Sequence, residues 1–258
     1  MATKLHAATS ASVKDRVSPE EWAVRLDLAA AYRAAAHYGW DDLIFTHFSA
    51  RVPGPDEHFL LNPFGMMFRE VTASTLIKVD LEGTVVMESE WECNPAAFVI
   101  HGVVHESRPD ARCVMHLHTV AGVGVSAQPD GLLPIGQTNA ALVNDVAYHD
   151  YEGLALDMDE RVRLVADLGA RNRMILRNHG LLTVGGSVGE AFGRMYGLQR
   201  ACEYQIAAQA GGRLNLLSRE ICDKAQEQSR TGFRTPLNVL AWAAIRRLAD
   251  DLYPSYRQ

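Results

Sequence analysis

Residues 114–119 read VMHLHT, with two histidines, His116 and His118, on either side of one leucine in an otherwise apolar run. Successive side chains of a strand point to opposite faces, so residues two apart share a face. His116 and His118 then project together while Leu117 serves the opposite layer, and two neutral imidazoles so placed can share one cation. An isolated H-x-H pair is also compatible with buried rings satisfied by hydrogen bonds. A third nitrogen favours the metal, and the candidate is His179 in ILRNHGLL (175–182), directly after an apolar strand and before a glycine. Strand ends of this kind collect functional groups in layered α/β proteins. Three such ligands leave coordination positions open for substrate and suit one divalent transition metal: Zn, Mn, Fe or Co.

The pattern around this stretch mixes helices and strands. SPEEWAVRLDLAAAYRAAAHYG (18–39) carries Ser18 as N-cap, Pro19 at the first helical position and Glu21 three residues after the cap, which predicts a long helix ending near Gly39. Residues 43–88 are short β-rich runs broken by Pro-Gly, Asn-Pro and Glu-Gly. A helix of about three turns is expected after Asn94-Pro95, closing before Pro109. CVMHLHT, RMILRNHG and LLTVGGS read as strands, with a helix over 159–172 between the first two. A second long helix follows from Ser187 to Gly211-Gly212, with Ser187 and Glu190 as a capping box. Two terminal helices are expected within 213–258, the last amphipathic around Trp242 and packed on the domain or on a neighbouring subunit. Residues 1–17 read as a disordered leader and 18–212 as one layered α/β domain.

With 258 residues, 48% hydrophobic and 22% charged, the chain can bury one large core. Its net charge of -6 and lack of Lys/Arg clusters give no electrostatic reason to expect a nucleic-acid partner. The leader lacks an apolar run for secretion or membrane insertion. Cys93, Cys113, Cys202 and Cys222 form no C-x-x-C pair and fit reduced thiols in a cytoplasmic protein. GVGVSA (122–127) matches a dinucleotide fingerprint with Asp145 about 20 residues on, but QPDGLLP follows at once and would break the required crossover helix. Among the other histidines, His101 and His105 are four apart on a helix without the glutamate of a zincin; His101 is read as a core or ligand-supporting group and His105 as a surface residue. His47 and His149 are possible pocket residues without a pattern of their own.

NPAAFVIHGVVHESRPDARCVMHLHTVAGVGVSA, VAYHDYEG and ILRNHGLLTVG, taken together, resemble the class II aldolase/adducin family over roughly residues 20–212. The resemblance implies a three-layer α/β/α domain with a central, mostly antiparallel sheet, and a catalytic divalent cation held by His116, His118 and His179. It also implies a homotetramer with active sites at subunit interfaces. The departures are equally informative. Where sugar-phosphate aldolases of the family read PSSE, with two serines gripping phosphate and a glutamate as base, an ungapped match through His101 places Pro95, Ala96 and Ala97. Their early Gly-Asn is Thr46-His47 here. A phosphorylated ketose is therefore not the expected substrate, and the pattern looks closer to the adducin-like branch, which includes non-enzymatic cytoskeletal head domains, and also to metal-dependent decarboxylases and a few non-haem iron oxygenases built on this fold.

The expectation is a metal-dependent lyase, decarboxylase or retro-aldolase, acting on an unphosphorylated hydroxy, keto or aromatic carboxylic acid. Decarboxylation needs an electron sink but no C–H abstraction, so losing the glutamate harms it least. His47, Tyr148, His149 and Tyr151 are the candidate proton donors, the two tyrosines being equally suited to packing at an interface. Glu92 is a weaker substitute base, since it precedes the helix. Arg177 is a candidate carboxylate clamp, with a structural ion pair as its alternative role, and Ala97 marks the substrate-side position of the absent base. An iron-dependent oxygenase and a non-catalytic adducin-like binding protein are the competing functions.

Overall fold

The computed structural model describes residues 12–94, 97–154, 159–232 and 235–258. Of the expected leader, residues 1–11 lie outside that description. The rest departs from the expectation: Val13–Arg16 form a helical turn, α1, because Ser12 accepts from the Asp15 backbone N–H and donates to its carboxylate. Pro95 and Ala96 also lie outside the described residues.

α2 spans Pro19–His37, with Ser18 accepting from the Glu21 N–H as its cap. Its alanines 29–31, 34 and 35 are fully buried, and their small side chains let the helix lie close to the sheet. The strands are β1 (His47–Arg51), β2 (Phe59–Leu61), β3 (Ile77–Val79), β4 (Cys113–Leu117), β5 (Val146–His149), β6 (Arg173–Leu176) and β7 (Gly180–Gly185). They form one sheet in the order β3-β2-β1-β4-β7-β6-β5, antiparallel at every pairing except β5–β6. The sheet is therefore the mostly antiparallel one expected.

Helices cover both faces. α3 is a π-helical turn, Phe98–Gly102, continued as α-helix over Val103–Ser107. α4 is Val120–Ser126, α5 Gln137–Leu142, α6 Glu160–Leu168, α7 Val188–Gln209, α8 Arg219–Thr231 and α9 Leu237–Leu252. The alternation of β4 shows how the layers are made. Cys113, Met115 and Leu117 join the core beneath α2 and α7, whereas Val114 joins the core beneath α3 and α6. β1 alternates likewise, with Phe48 and Ala50 turned to the α2 side. His47 and Ser49 consequently share the α3 face with His116, and His47 is paired directly opposite His116.

α7 starts at Ser187, which accepts from the Glu190 N–H, but the Glu190 carboxylate returns to the Gly186 N–H and not to the Ser187 N–H of a standard capping box. α9 packs on α2 and α7; Trp242 occupies the space left by Gly189, where a Cβ would come within 2.4 Å of the indole. The fully buried Tyr256 extends this attachment, its carbonyl accepting from the Ala73 N–H. Among the described residues no helix is long and apolar enough to cross a membrane.

The dinucleotide-like GVGVSA owes its first glycine to packing. Thr119 caps α4 by accepting from the Gly122 N–H, and a Cβ on Gly122 would meet the Thr119 hydroxyl at 2.6 Å and Leu181 at 2.7 Å. β4 and its neighbour β7 are antiparallel, so this segment belongs to no parallel βαβ unit.

Candidate metal centre

Three chain segments bring the histidines together. His116 points from β4 into the α3 face; His118 lies just beyond the strand end, before Thr119; His179 sits in the short turn between β6 and β7. One ring nitrogen from each lies within 4.8 Å of the others. The turn closes because Asn178 adopts a left-handed backbone (φ 55°), which asparagine tolerates better than most residues, and its N–H reaches the Ser126 carbonyl. Gly180 follows for a steric reason. A Cβ there would stand 2.5 Å from the Leu117 carbonyl oxygen and 3.1 Å from the His118 ring.

Hydrogen bonds orient the rings. His116 Nδ1 faces the Leu181 carbonyl at 3.0 Å, and His118 Nδ1 faces the Asp42 carboxylate at 3.1 Å. Neither partner can donate, so each Nδ1 carries a proton and the two rings turn their Nε2 atoms toward each other. Those two Nε2 atoms are 2.8 Å apart. Opposed lone pairs at that distance repel unless a proton or cation is shared between them, so the donor set fits a metal ion. Burial, reinforced by neighbouring rings, holds the His116 pKa well below its ordinary value and lowers that of His179 to about 4. Protons therefore compete weakly for these nitrogens near neutral pH.

Asp42 escaped sequence reasoning, which offered no spacing to single it out. It is placed by a tight loop with an isolated bridge to Phe45 and left-handed backbone at Leu43 and Thr46, conformations that cost non-glycine residues energy and recur at functional sites. Asp42→Ala is expected to weaken Zn2+ binding about 10- to 100-fold, the usual effect of removing an outer-shell partner of a ligand histidine. Titration against a chromophoric chelator measures this; unchanged affinity would deny Asp42 the orienting role.

The histidines form one wall of a cavity of about 340 Å³. Phe45, Ile100 and Leu154 supply apolar surface, and Thr46, His47, Asn94, Tyr151 and Asn178 supply polar groups. No lysine, arginine or carboxylate is among the described lining residues. A larger hollow of about 430 Å³ lies between α1 and β3, but its Lys78 is tied to Glu21 and its Arg16 to Glu88, and it contains no histidine.

Of the sequence-derived candidates, His47 and Tyr151 reach this cavity, with the Tyr151 ring 6.3 Å from that of His179. Tyr148 does not line it. Strand parity sends its ring to the opposite face of β5, where the hydroxyl accepts from the Leu132 N–H and the ring covers Gly131. Arg177 follows Tyr148, stacking over its ring at 4.7 Å and pairing with Asp150, so its guanidinium is held outside the cavity lining. His149 is buried against α6, with Nδ1 2.7 Å from Asp167 and Nε2 3.4 Å from Glu160. Ala97 packs with Phe59 and Leu61, and Glu92 is exposed outside the described lining.

His105 corrects the surface expectation. It is 1% exposed, stacks on Phe59, and is bonded to both the Ala111 carbonyl and Ser49. Helical spacing alone could not show that β1 lays Ser49 across the helix at this point. His101 is also buried, as expected, and shares Ser49.

The profile of the Class II Aldolase and Adducin N-terminal domain matches residues 26–206. A solved aldolase II superfamily protein from Pseudomonas syringae is 52% identical with a TM-score of 0.91, covering 96% of this chain and 100% of that one. L-fuculose 1-phosphate aldolase from Glaciozyma antarctica is 28% identical with a TM-score of 0.82, covering 93% of each chain. Mouse alpha-adducin is 40% identical over 259 residues, an alignment covering 91% of this chain and 35% of alpha-adducin. With the profile matching well over half of its length, the chain belongs to the class II aldolase and adducin family.

Proposed function

We propose that the protein is a divalent-metal-dependent lyase that cleaves a C–C bond, by decarboxylation or retro-aldol reaction, in an unphosphorylated hydroxy, keto or aromatic carboxylic acid. The observation that carries this reading is the convergence of three imidazoles on a cavity whose described lining has no cationic side chain. A phosphate group is ordinarily gripped by Arg, Lys or a helix N-terminus, and Phe45, Ile100 and Leu154 suit an apolar or aromatic substrate body better.

His116, His118 and His179 would hold a divalent Zn, Mn, Fe or Co ion, which would supply Lewis-acid polarisation of a substrate carbonyl or carboxylate oxygen. The chain's own groups orient and protonate. His47 faces the cavity from β1 and orients the substrate beside the triad, and the Tyr151 hydroxyl at the opening delivers the proton that replaces the broken bond. The apolar wall keeps water from the reacting carbon. Ala97 cannot remove a C–H proton, and decarboxylation does not require that step. The working unit in this reading is a cytoplasmic homo-oligomer, a tetramer by resemblance, without nucleic-acid or membrane partners.

The test is a panel of hydroxy, keto and aromatic acids incubated with chelator-treated protein and Zn2+, Mn2+, Co2+ or Fe2+ in turn. CO2 or aldehyde release without oxygen consumption is expected. Turnover only with Fe2+ and oxygen would convert the reading to an oxygenase. Failure to take up any metal, with no turnover, would leave the adducin-like binding role.

A further inference from the structure

A buried polar chain runs behind His47 on the same face of the sheet. The Ala111 carbonyl accepts from His105 Nδ1 at 2.8 Å, so His105 Nε2 is an acceptor and takes the Ser49 hydroxyl proton at 2.7 Å. Ser49 Oγ must then accept from His101 Nδ1, also at 2.7 Å. The neutral His101 ring is left with a bare Nε2, buried and without a hydrogen-bond partner. Burial keeps these rings neutral, lowering His105 to about 3 and His101 well below its ordinary value. The His47 ring lies 4.3 Å from His101 between centroids, and both of its nitrogens are buried and unpartnered. A bare acceptor thus adjoins a ring that must carry one N–H, and leaving such buried groups unsatisfied is unfavourable.

We propose that His101 is a positioning residue that sets the proton of His47: its bare Nε2 takes the His47 N–H, and His47 offers the cavity its other nitrogen as a hydrogen-bond acceptor. The polarity of the whole chain is set by one backbone carbonyl, at Ala111, which cannot donate. His47 then recognises a substrate hydroxyl hydrogen beside the triad. A carboxylate or phosphate oxygen at that position would oppose two lone pairs. This hydroxyl selectivity rests on the lyase reading; the proton order along the chain does not.

Full-length protein carrying 15N in its histidine rings reports each tautomer through long-range 1H–15N correlations, with and without Zn2+. His101 and His105 are expected to be protonated at Nδ1. Ser49→Ala should release His101 into a tautomer mixture and move the His47 nitrogen resonances, while Ser49→Thr, which keeps a hydroxyl, should retain the wild-type pattern. With Zn2+ bound, glycolate should shift the acceptor nitrogen of His47, and methoxyacetate, whose ether oxygen carries no hydrogen, should leave it in place. A wild-type His101 protonated at Nε2, His47 resonances unmoved in Ser49→Ala, or equal shifts with both acids overturns the proposal. If Ser49→Ala does not fold, the wild-type tautomers decide alone. Zn2+ uptake measured on the same sample tests the lyase reading separately, because protein that binds no metal still reveals its tautomers.

Discussion

His116→Ala is expected to abolish stoichiometric divalent-metal binding while leaving the protein folded. His116 contributes the central ligand, its Nε2 2.8 Å from that of His118 and its ring 4.7 Å from that of His179. Removing an outer-shell partner costs about 10- to 100-fold in metal affinity, and removing a ligand should cost more. The fold loses less. The Leu181 carbonyl is deprived of the His116 N–H and a small void opens on the α3 face, together about 1–3 kcal/mol. Elemental analysis after chelator treatment and Zn2+ reloading gives the stoichiometry. Thermal denaturation gives a second measure, because a ligand that binds only the folded protein at 100 times its Kd stabilises by about 2.7 kcal/mol. The wild type should melt higher with Zn2+ and His116→Ala should not respond. Equal metal affinity in the two proteins would remove the triad as the site.

Gly180→Ala is expected to damage fold and site together. The added methyl would stand 2.5 Å from the Leu117 carbonyl oxygen, 3.1 Å from the His118 ring and 3.4 Å from the His116 ring. A backbone carbonyl inside a strand pairing cannot swing aside as a flexible side chain can. β4 and β7 must therefore separate at their Leu117–Leu181 end, where overpacking of this kind costs about 1–3 kcal/mol. The same displacement spreads the ligand rings. Urea unfolding and Zn2+ titration should both worsen, in contrast to His116→Ala, which chiefly loses metal. A Gly180→Ala protein with wild-type Zn2+ affinity would show that the glycine serves chain packing alone.

The parts of the site legible in the chain are those set by short-range geometry. A two-residue period places the side chain of His116 opposite that of Leu117, and the Asn-His-Gly turn marks where β6 reverses into β7. Helix ends were legible for the same reason, since Ser18 and Ser187 each accept from a backbone N–H three residues on. Tyr148 and Arg177 show the limit. Alternation says that Tyr148 and His149 point apart, but which face carries the histidines depends on how β5 sits in the sheet. His149 then faces α6 and its carboxylates, and Arg177 stacks on Tyr148 away from the cavity.

The sequence by itself determined the family, the mostly antiparallel layered fold, and three histidines able to meet at the end of β4. The family and the mostly antiparallel sheet follow from the resemblance of its motifs, whereas the histidine pair and the helix limits rest on periodicity, caps and turns, which are properties of neighbouring residues. Only the tertiary structure decided that Asp42 orients His118, that His105 is buried, and that Ser49 joins His101 to His105 behind His47. Each depends on segments 52 to 76 residues apart meeting across strands and helices. A hydrogen bond at that separation leaves no local period in the chain, because its geometry exists only once the β1–β4 pairing and the α3 layer have formed.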